Sequence, residues 1–211
     1  MKTLFLNPNS SEEITATLRR HIGRCGWPAD RWEVAKVDDA PRIIGTASQN
    51  AEAEAALERA LPALSNGFDR VVMMSSVDTG YDVAHRLFGD EAYGFTRSVL
   101  AQHRRLGQQL QIVTFDKAMT ALYASTVEAT GHRAVVAGWT VVDRLPAAVA
   151  AQPSLALEEL RTVCRDLART SMHPIFVVGA VGLALTDELR KDGMTGLVDP
   201  VADLLGWLGS A

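Results

Sequence analysis

Three short runs hold most of the residue types that suit chemistry. Asn7-Pro8-Asn9-Ser10-Ser11 follows Leu4-Phe5-Leu6, Ser75-Ser76-Val77-Asp78-Thr79-Gly80 follows Val71 to Met74, and Gly179-Ala180-Val181-Gly182 follows Ile175 to Val178. In each, an apolar strand runs into small or polar residues that end it and open a loop. Ligands of open α/β sheets bind beyond the carboxyl ends of strands, where hydroxyls, amides and backbone N–H groups are free of a strand's hydrogen-bond duties. The pattern marks Asn7, Asn9, Ser10, Ser75 and Ser76 as candidates to hold an anionic or polar small ligand, with Thr114 and Phe115 at the end of a fourth apolar run. Ser75, Asp78 and Asp116 are the candidate catalytic groups.

Plainer readings stand beside these. Asp78 also fits an Asx turn that shapes its loop, and the adjacent charges Asp116 and Lys117 also fit solvated capping of a helix. Arg97 is either a mark of an anionic substrate or half of a simple ion pair. His85, alone on a helix, reads as structural, and Asp199 before Pro200 as the fixer of a turn.

The elements that must position these residues alternate along the chain. A strand over Lys2 to Leu6 leads to a helix from Ser11 with Ile14, Leu18 and Ile22 on one face. Ser10 reads as its N-cap, with Glu13 three residues on. Arg31 to Val37 is a second strand, Gln49 to Leu64 a helix, and Val71 to Met74 a third strand. Helices follow over Tyr81 to Phe88 and Gly94 to Leu106. Beyond Gly107 come strands at Leu110 to Thr114, Ala134 to Ala137 and Ile175 to Val178. Helices are expected at Ala118 to Thr130, Leu155 to Thr170, Thr186 to Lys191 and Val201 to Leu208. The alternation predicts an α/β protein in two similar halves, each with three parallel strands flanked by helices.

Composition narrows the partners. The chain has 211 residues, is 47% hydrophobic, and carries a formal charge of −4 with no basic stripe, which disfavours nucleic acid and anionic membranes and favours a small molecule. No run approaches the ~20 apolar residues of a membrane span, and Met1-Lys2-Thr3 enters a strand at once, so a cytoplasmic protein is expected. Cys25 and Cys164 form no C-x-x-C and the five histidines no i, i+4 pair, so neither a disulfide framework nor a metal site is supported. Both cysteines read as buried structural residues.

In series, the motifs resemble the aspartate/glutamate/hydantoin racemase superfamily, and within it the hydantoin and allantoin racemase branch. LFLNPNSSEEIT is similar to its opening strand and N-P-N loop, and Asp78-Thr79-Gly80 to its D-P-G. Leu106-Gly107 with Ile112-Val113-Thr114 is similar to its L-G and V-T-T run, Gly179 to Leu183 to its G-C-A-G-M, and Val198-Asp199-Pro200-Val201 to its I-D-P-V. The resemblance implies two pseudo-symmetric lobes with the substrate in a cleft between them, here 1-97 plus 197-211 and 98-196. It also implies a homo-oligomer, and cofactor-independent chemistry by two facing cysteines that take and return a proton beside a carbonyl. Ungapped alignment places Ser75 and Ala180 where those cysteines stand, and Ser76 and Val181 at the oxyanion-binding positions that follow them.

A serine hydroxyl is a poor carbon base and an alanine is none, so two-thiol racemisation is not expected. The chain then reads as a diverged isomerase, decarboxylase or lyase acting on a small carboxylate or cyclic amide or ureide. The alternative is a non-catalytic binding or regulatory protein that keeps the pocket. A third reading makes Ser75 an activated nucleophile and requires a general base within its reach.

Overall fold

In the computed structural model, residues 1–115, 117, 119–142 and 152–209 are described, with the backbone alone at 153, 180 and 181. Two compact units emerge, Met1–Ser98 and Val99–Ala211.

The strands of the first unit are β1 (Thr3–Asn7), β2 (Trp32–Lys36), β3 (Arg70–Met73) and β4 (Ala92–Gly94). They form one parallel sheet in the order β2-β1-β3-β4. Every residue of β1 and β3 is buried, as expected of central parallel strands covered on both faces, and their apolar runs are continuous for that reason. Helices α1 (Glu12–Arg24), α2 (Ala47–Leu64), α3 (Tyr81–Phe88) and α4 (Phe95–Arg105) connect or follow them. Leu4, Leu6, Val71 and Met73 share a cluster with Ala53, Ala56, Leu57 and Leu61 of α2 and Val83 and Ala84 of α3.

Two expectations are corrected here. Ser11, not Ser10, caps α1: its Oγ accepts from Ile14 N at 3.3 Å, while the Ser10 N–H donates to Pro41 O at 3.1 Å. The first half also has a fourth strand, β4, which pairs Val71 to Met73 with Ala92 to Gly94. Three residues are too few to show a period.

The second unit has the parallel sheet β6-β5-β7, with β5 at Leu110–Thr114, β6 at Val136–Val141 and β7 at Ile175–Val177. Its helices are the end of α4, then α5 (Thr120–Ala129), α6 (Pro153–Thr170), α7 (Ala180–Lys191) and α8 (Pro200–Leu208). Val113, Ile175 and Val177 pack with Ala156, Leu160 and Cys164 of α6 and Leu185 and Leu189 of α7. The order β6-β5-β7 repeats β2-β1-β3, so β5 corresponds topologically to β1 and β7 to β3.

The sequence reading gives 197-211 to the first lobe. Those residues are grouped here with the second unit, in which His103 Nε2 of α4 meets Asp203 Oδ2 of α8 at 2.9 Å. The helix expected at Thr186 to Lys191 begins six residues sooner, at Ala180, directly beyond β7.

Candidate functional site

All strands in each sheet are parallel, so the candidate residues of each unit gather at one edge of it. At the end of β1, Asn7 is fully buried and its amide is spent locally. Nδ2 donates to Asn9 Oδ1 at 2.9 Å, Thr15 Oγ1 at 3.0 Å and Ser11 O at 3.4 Å. Asn9 Oδ1 also accepts from Ser11 N at 2.9 Å. The two asparagines therefore hold the loop that starts α1.

At the end of β3, Ser75 is partly exposed and its hydroxyl lies 2.8 Å from Thr79 Oγ1. Thr79 Oγ1 in turn donates to Asn50 Oδ1 of α2 at 2.6 Å, and Asn50 Nδ2 donates to Glu54 Oε1 at 3.2 Å. Val77 N donates to Ser75 Oγ at 3.4 Å. The direct partners of the Ser75 hydroxyl are thus a hydroxyl and a backbone N–H, and the Glu54 carboxylate is reached only through the Asn50 amide.

Asp78 belongs to the same loop but faces α4. It is buried and is the one non-glycine residue with positive φ among the described residues, at 50°. Its Oδ1 accepts from Thr96 N at 2.8 Å, and its Oδ2 from Arg97 N at 3.1 Å and Arg97 Nε at 3.2 Å. The carboxylate caps the first turn of α4 from outside that helix, where the helix dipole favours negative charge. Gly94, just before α4, is required by this approach, since a Cβ there would lie 2.5 Å from Asp78 Cγ. Burial pushes the Asp78 carboxyl up to about 6, against Arg97 and the two backbone N–H groups, which pull it down. The Arg97 guanidinium lies 3.2 Å from the centroid of the Tyr81 ring. Arg97 is thus an ion-pair partner of Asp78.

The end of β7 is built differently. Val178 N still bonds Val113 O at 2.9 Å, and one residue later Gly179 adopts φ 97°, ψ 152°, a conformation essentially confined to glycine. The chain passes at once into the 12-residue α7, so the first N–H groups of that helix open at the carboxyl edge of the sheet. Ala180 and Val181 supply two of them.

The comparisons with known proteins fit this arrangement. The family model described as Asp/Glu/Hydantoin racemase matches residues 4–204. The chain belongs to this family. Its fold is similar to that of allantoin racemase from Klebsiella pneumoniae, with a TM-score of 0.84, 18% identity, and coverage of 100% of this chain and 86% of the other. Allantoin racemase from Pseudomonas fluorescens gives a TM-score of 0.83 at 18% identity, with 99% and 90% covered. A double mutant of arylmalonate decarboxylase in a liganded form gives 0.64 at 14% identity, with 99% and 92% covered. No curated protein sequence matches the chain. Family and neighbours are enzymes.

Within this family fold the candidates sort as follows. Ser75 and Ser76 follow β3, Thr114 ends β5 with Phe115 directly after it, and Ala180 and Val181 open α7. Ser76 O accepts from Thr96 Oγ1 at 2.7 Å, and Thr114 O accepts from Val142 N at 2.8 Å. Thr114 and Phe115 are buried. Asp116 lies outside the described residues. His85 is exposed, with Nδ1 2.8 Å from Gly89 O and its ring stacked on Tyr81, and Asp199 Oδ1 accepts from Ala202 N to cap α8. Cys164 is buried among apolar residues, which pushes its thiol up to about 12, a poor state for a nucleophile. Cys25 is only partly buried, because it ends α1, with Sγ donating to His21 O at 3.3 Å. No group of three metal-ligating side chains occurs among the described residues, and no described helix is long and apolar enough to cross a membrane. Sequence reasoning missed Asn50 and Thr96. Both reach the β3 loop only through tertiary structure.

Proposed function

We propose that the protein is an enzyme acting on a small carboxylate or a cyclic amide or ureide, at a carbon next to a carbonyl and without a cofactor. Its chemistry is an isomerisation, decarboxylation or elimination in place of two-thiol racemisation, because Ser75 and Ala180 occupy the positions that the resemblance gives to the cysteines. The observation that carries this reading is the β7–α7 junction. Gly179 turns the chain so that α7 begins where β7 ends, and the amides of its first turn suit an enolate-like oxyanion. Ser75 and Ser76 would meet the polar end of the ligand, and Thr114 and Phe115 are proposed as further binding residues. Asn7, Asn9 and Ser10 would shape the first of these loops. Asp116 is the proposed proton carrier, since the Asp78 carboxyl already caps α4. A cytoplasmic homo-oligomer is part of the same proposal.

A second reading, a binding protein derived from such an enzyme, is favoured by the hydrogen bonds of Ser75, whose hydroxyl has no base as a direct partner among those described and is separated from the Glu54 carboxylate by Thr79 and the Asn50 amide. The two separate by proton NMR of the protein in D2O with amino acids, dicarboxylates, 5-substituted hydantoins and allantoin. The enzyme reading expects loss of a Cα–H signal or a new product above the protein-free control, and a fall of about 100-fold or more in Asp116→Asn. Ligands that raise Tm yet stay unchanged would replace it with the binding reading.

A further inference from the structure

The hydroxyl of Ser75 has a fixed polarity, and that polarity selects the ligand. Asn50 sets it. Were its amide reversed, Oδ1 would face Glu54 Oε1 at 3.2 Å, two acceptors in contact, so Nδ2 takes the Glu54 side and Oδ1 the Thr79 side. Thr79 is 1% exposed, and its single proton is used on Asn50 Oδ1 at 2.6 Å. Thr79 Oγ1 therefore meets Ser75 as an acceptor, and the Ser75 proton is committed to that 2.8 Å bond. On Ser75 Oγ this leaves lone pairs, one of them turned toward Val77 N at 3.4 Å.

We infer that Asn50 and Thr79 are positioning residues that make Ser75 a hydrogen-bond acceptor, so that the β3 end takes a ligand N–H, as in a cyclic ureide or amide, and discriminates against a carboxylate oxygen. The inference rests on the strand-end site proposed above. A carboxylate brought to Ser75 would set acceptor against acceptor unless the Ser75 proton left Thr79, and Thr79 Oγ1 would then lose its donor in a buried place.

The test compares a 5-substituted hydantoin, the same hydantoin methylated on its ring nitrogens, and a dicarboxylate such as succinate, by calorimetric titration of the full chain. The wild type is expected to prefer the unmethylated hydantoin over the methylated one and over succinate, by about fivefold to tenfold, the yield of one hydrogen bond. Ser75→Ala erases the difference between the two hydantoins. Thr79→Val frees the Ser75 proton to donate and raises succinate affinity several-fold relative to the hydantoin. A purely structural role for Thr79 would move both affinities together. Asn50→Leu, whose Thr79 proton has no amide to go to, repeats the shift in ligand preference and guards against a fold defect special to Thr79→Val, with circular dichroism checking both variants. If the ligands bind and Ser75→Ala weakens them, yet neither variant changes the preference, the polarity inference is wrong and the site stands. If no ligand binds, or Ser75→Ala affects none, the site reading falls and this inference with it.

Discussion

The ends of β3 and β7 occupy the same topological place in their two sheets and are made of opposite materials. Beyond β3, a loop from Met74 to Gly80 intervenes before α3, and its side chains are bound to other elements. Thr79 ties it to α2, with Ser75 bonded to Thr79 inside the loop, and Asp78 ties it to α4. Beyond β7, helix α7 starts after two residues, and what the junction offers is backbone N–H. A repeated architecture can therefore build a side-chain end in one unit and a backbone end in the other. The first is tuned by substitution, whereas the second depends on one conformation. The first kind of end suits recognition of a ligand, and the second supplies a fixed dipole for charge that develops at a carbonyl.

The comparison is broken most severely at Asp78. Asp78→Ala leaves two backbone donors of α4 and the Arg97 side chain without their acceptor, and should cost about 3 kcal/mol at neutral pH, read by urea unfolding. The loss should also depend on pH. The folded carboxyl titrates at about 6 and its unfolded value is 3.8, so the folded state holds the proton more tightly. This contribution to stability is fully present below the unfolded value and is lost as pH rises through about 6. The gap between wild type and Asp78→Ala should therefore be wider at pH 4 than at pH 8, by up to about 3 kcal/mol for a shift near two units. A gap that narrows toward acid would mean that Arg97 outweighs burial.

At the other end, Gly179→Ala forces a Cβ onto a backbone at φ 97°, ψ 152° and should cost about 1–3 kcal/mol. Among the described residues no atom lies within 4 Å of a Cβ placed at Gly179, so the expected penalty is conformational. If the backbone end holds the oxyanion, any Cα–H exchange activity falls by more than the stability loss explains, because the first-turn amides are re-aimed. Equal unfolding curves for Gly179→Ala and wild type would show that the junction relaxes freely, and the contrast with β3 would lose its basis.

The sequence makes the sheets legible for a physical reason. Central parallel strands are buried on both faces, so Leu4 to Leu6 and Val71 to Met74 stand out as unbroken apolar runs. β4 escapes because three residues between two helices carry no period, and its register comes from pairing with β3. The start of α7 escapes because two glycines within four residues read locally as a loop, while tertiary placement makes them the start of a helix. The candidate site is legible as strand ends and not as roles. Asp78 reads as a loop former with a base as the sharper alternative until Thr96 and Arg97, some 20 residues away, are brought to its oxygens. Asn50 has no signal of its own. An exposed-looking amide early in an Ala- and Glu-rich helix gains meaning only from Thr79.

The smallest expected effect is the most specific one. Ser75→Ala removes one hydroxyl, its bond to Thr79 and a long contact from Val77 N at a partly exposed position, so its stability cost should be about 1 kcal/mol or less, well below that of Asp78→Ala in the same loop. Thr79 keeps its donor bond to Asn50, so no buried donor is stranded and the loop has little reason to move. A cost near that of Asp78→Ala would show that Ser75 helps hold the β3 loop together, and the division of labour within that loop, anchoring by Asp78 and recognition by Ser75, would have to be given up. A small cost with a clear loss of ligand binding would instead assign the Ser75 hydroxyl to recognition, which an anchoring residue would not imitate.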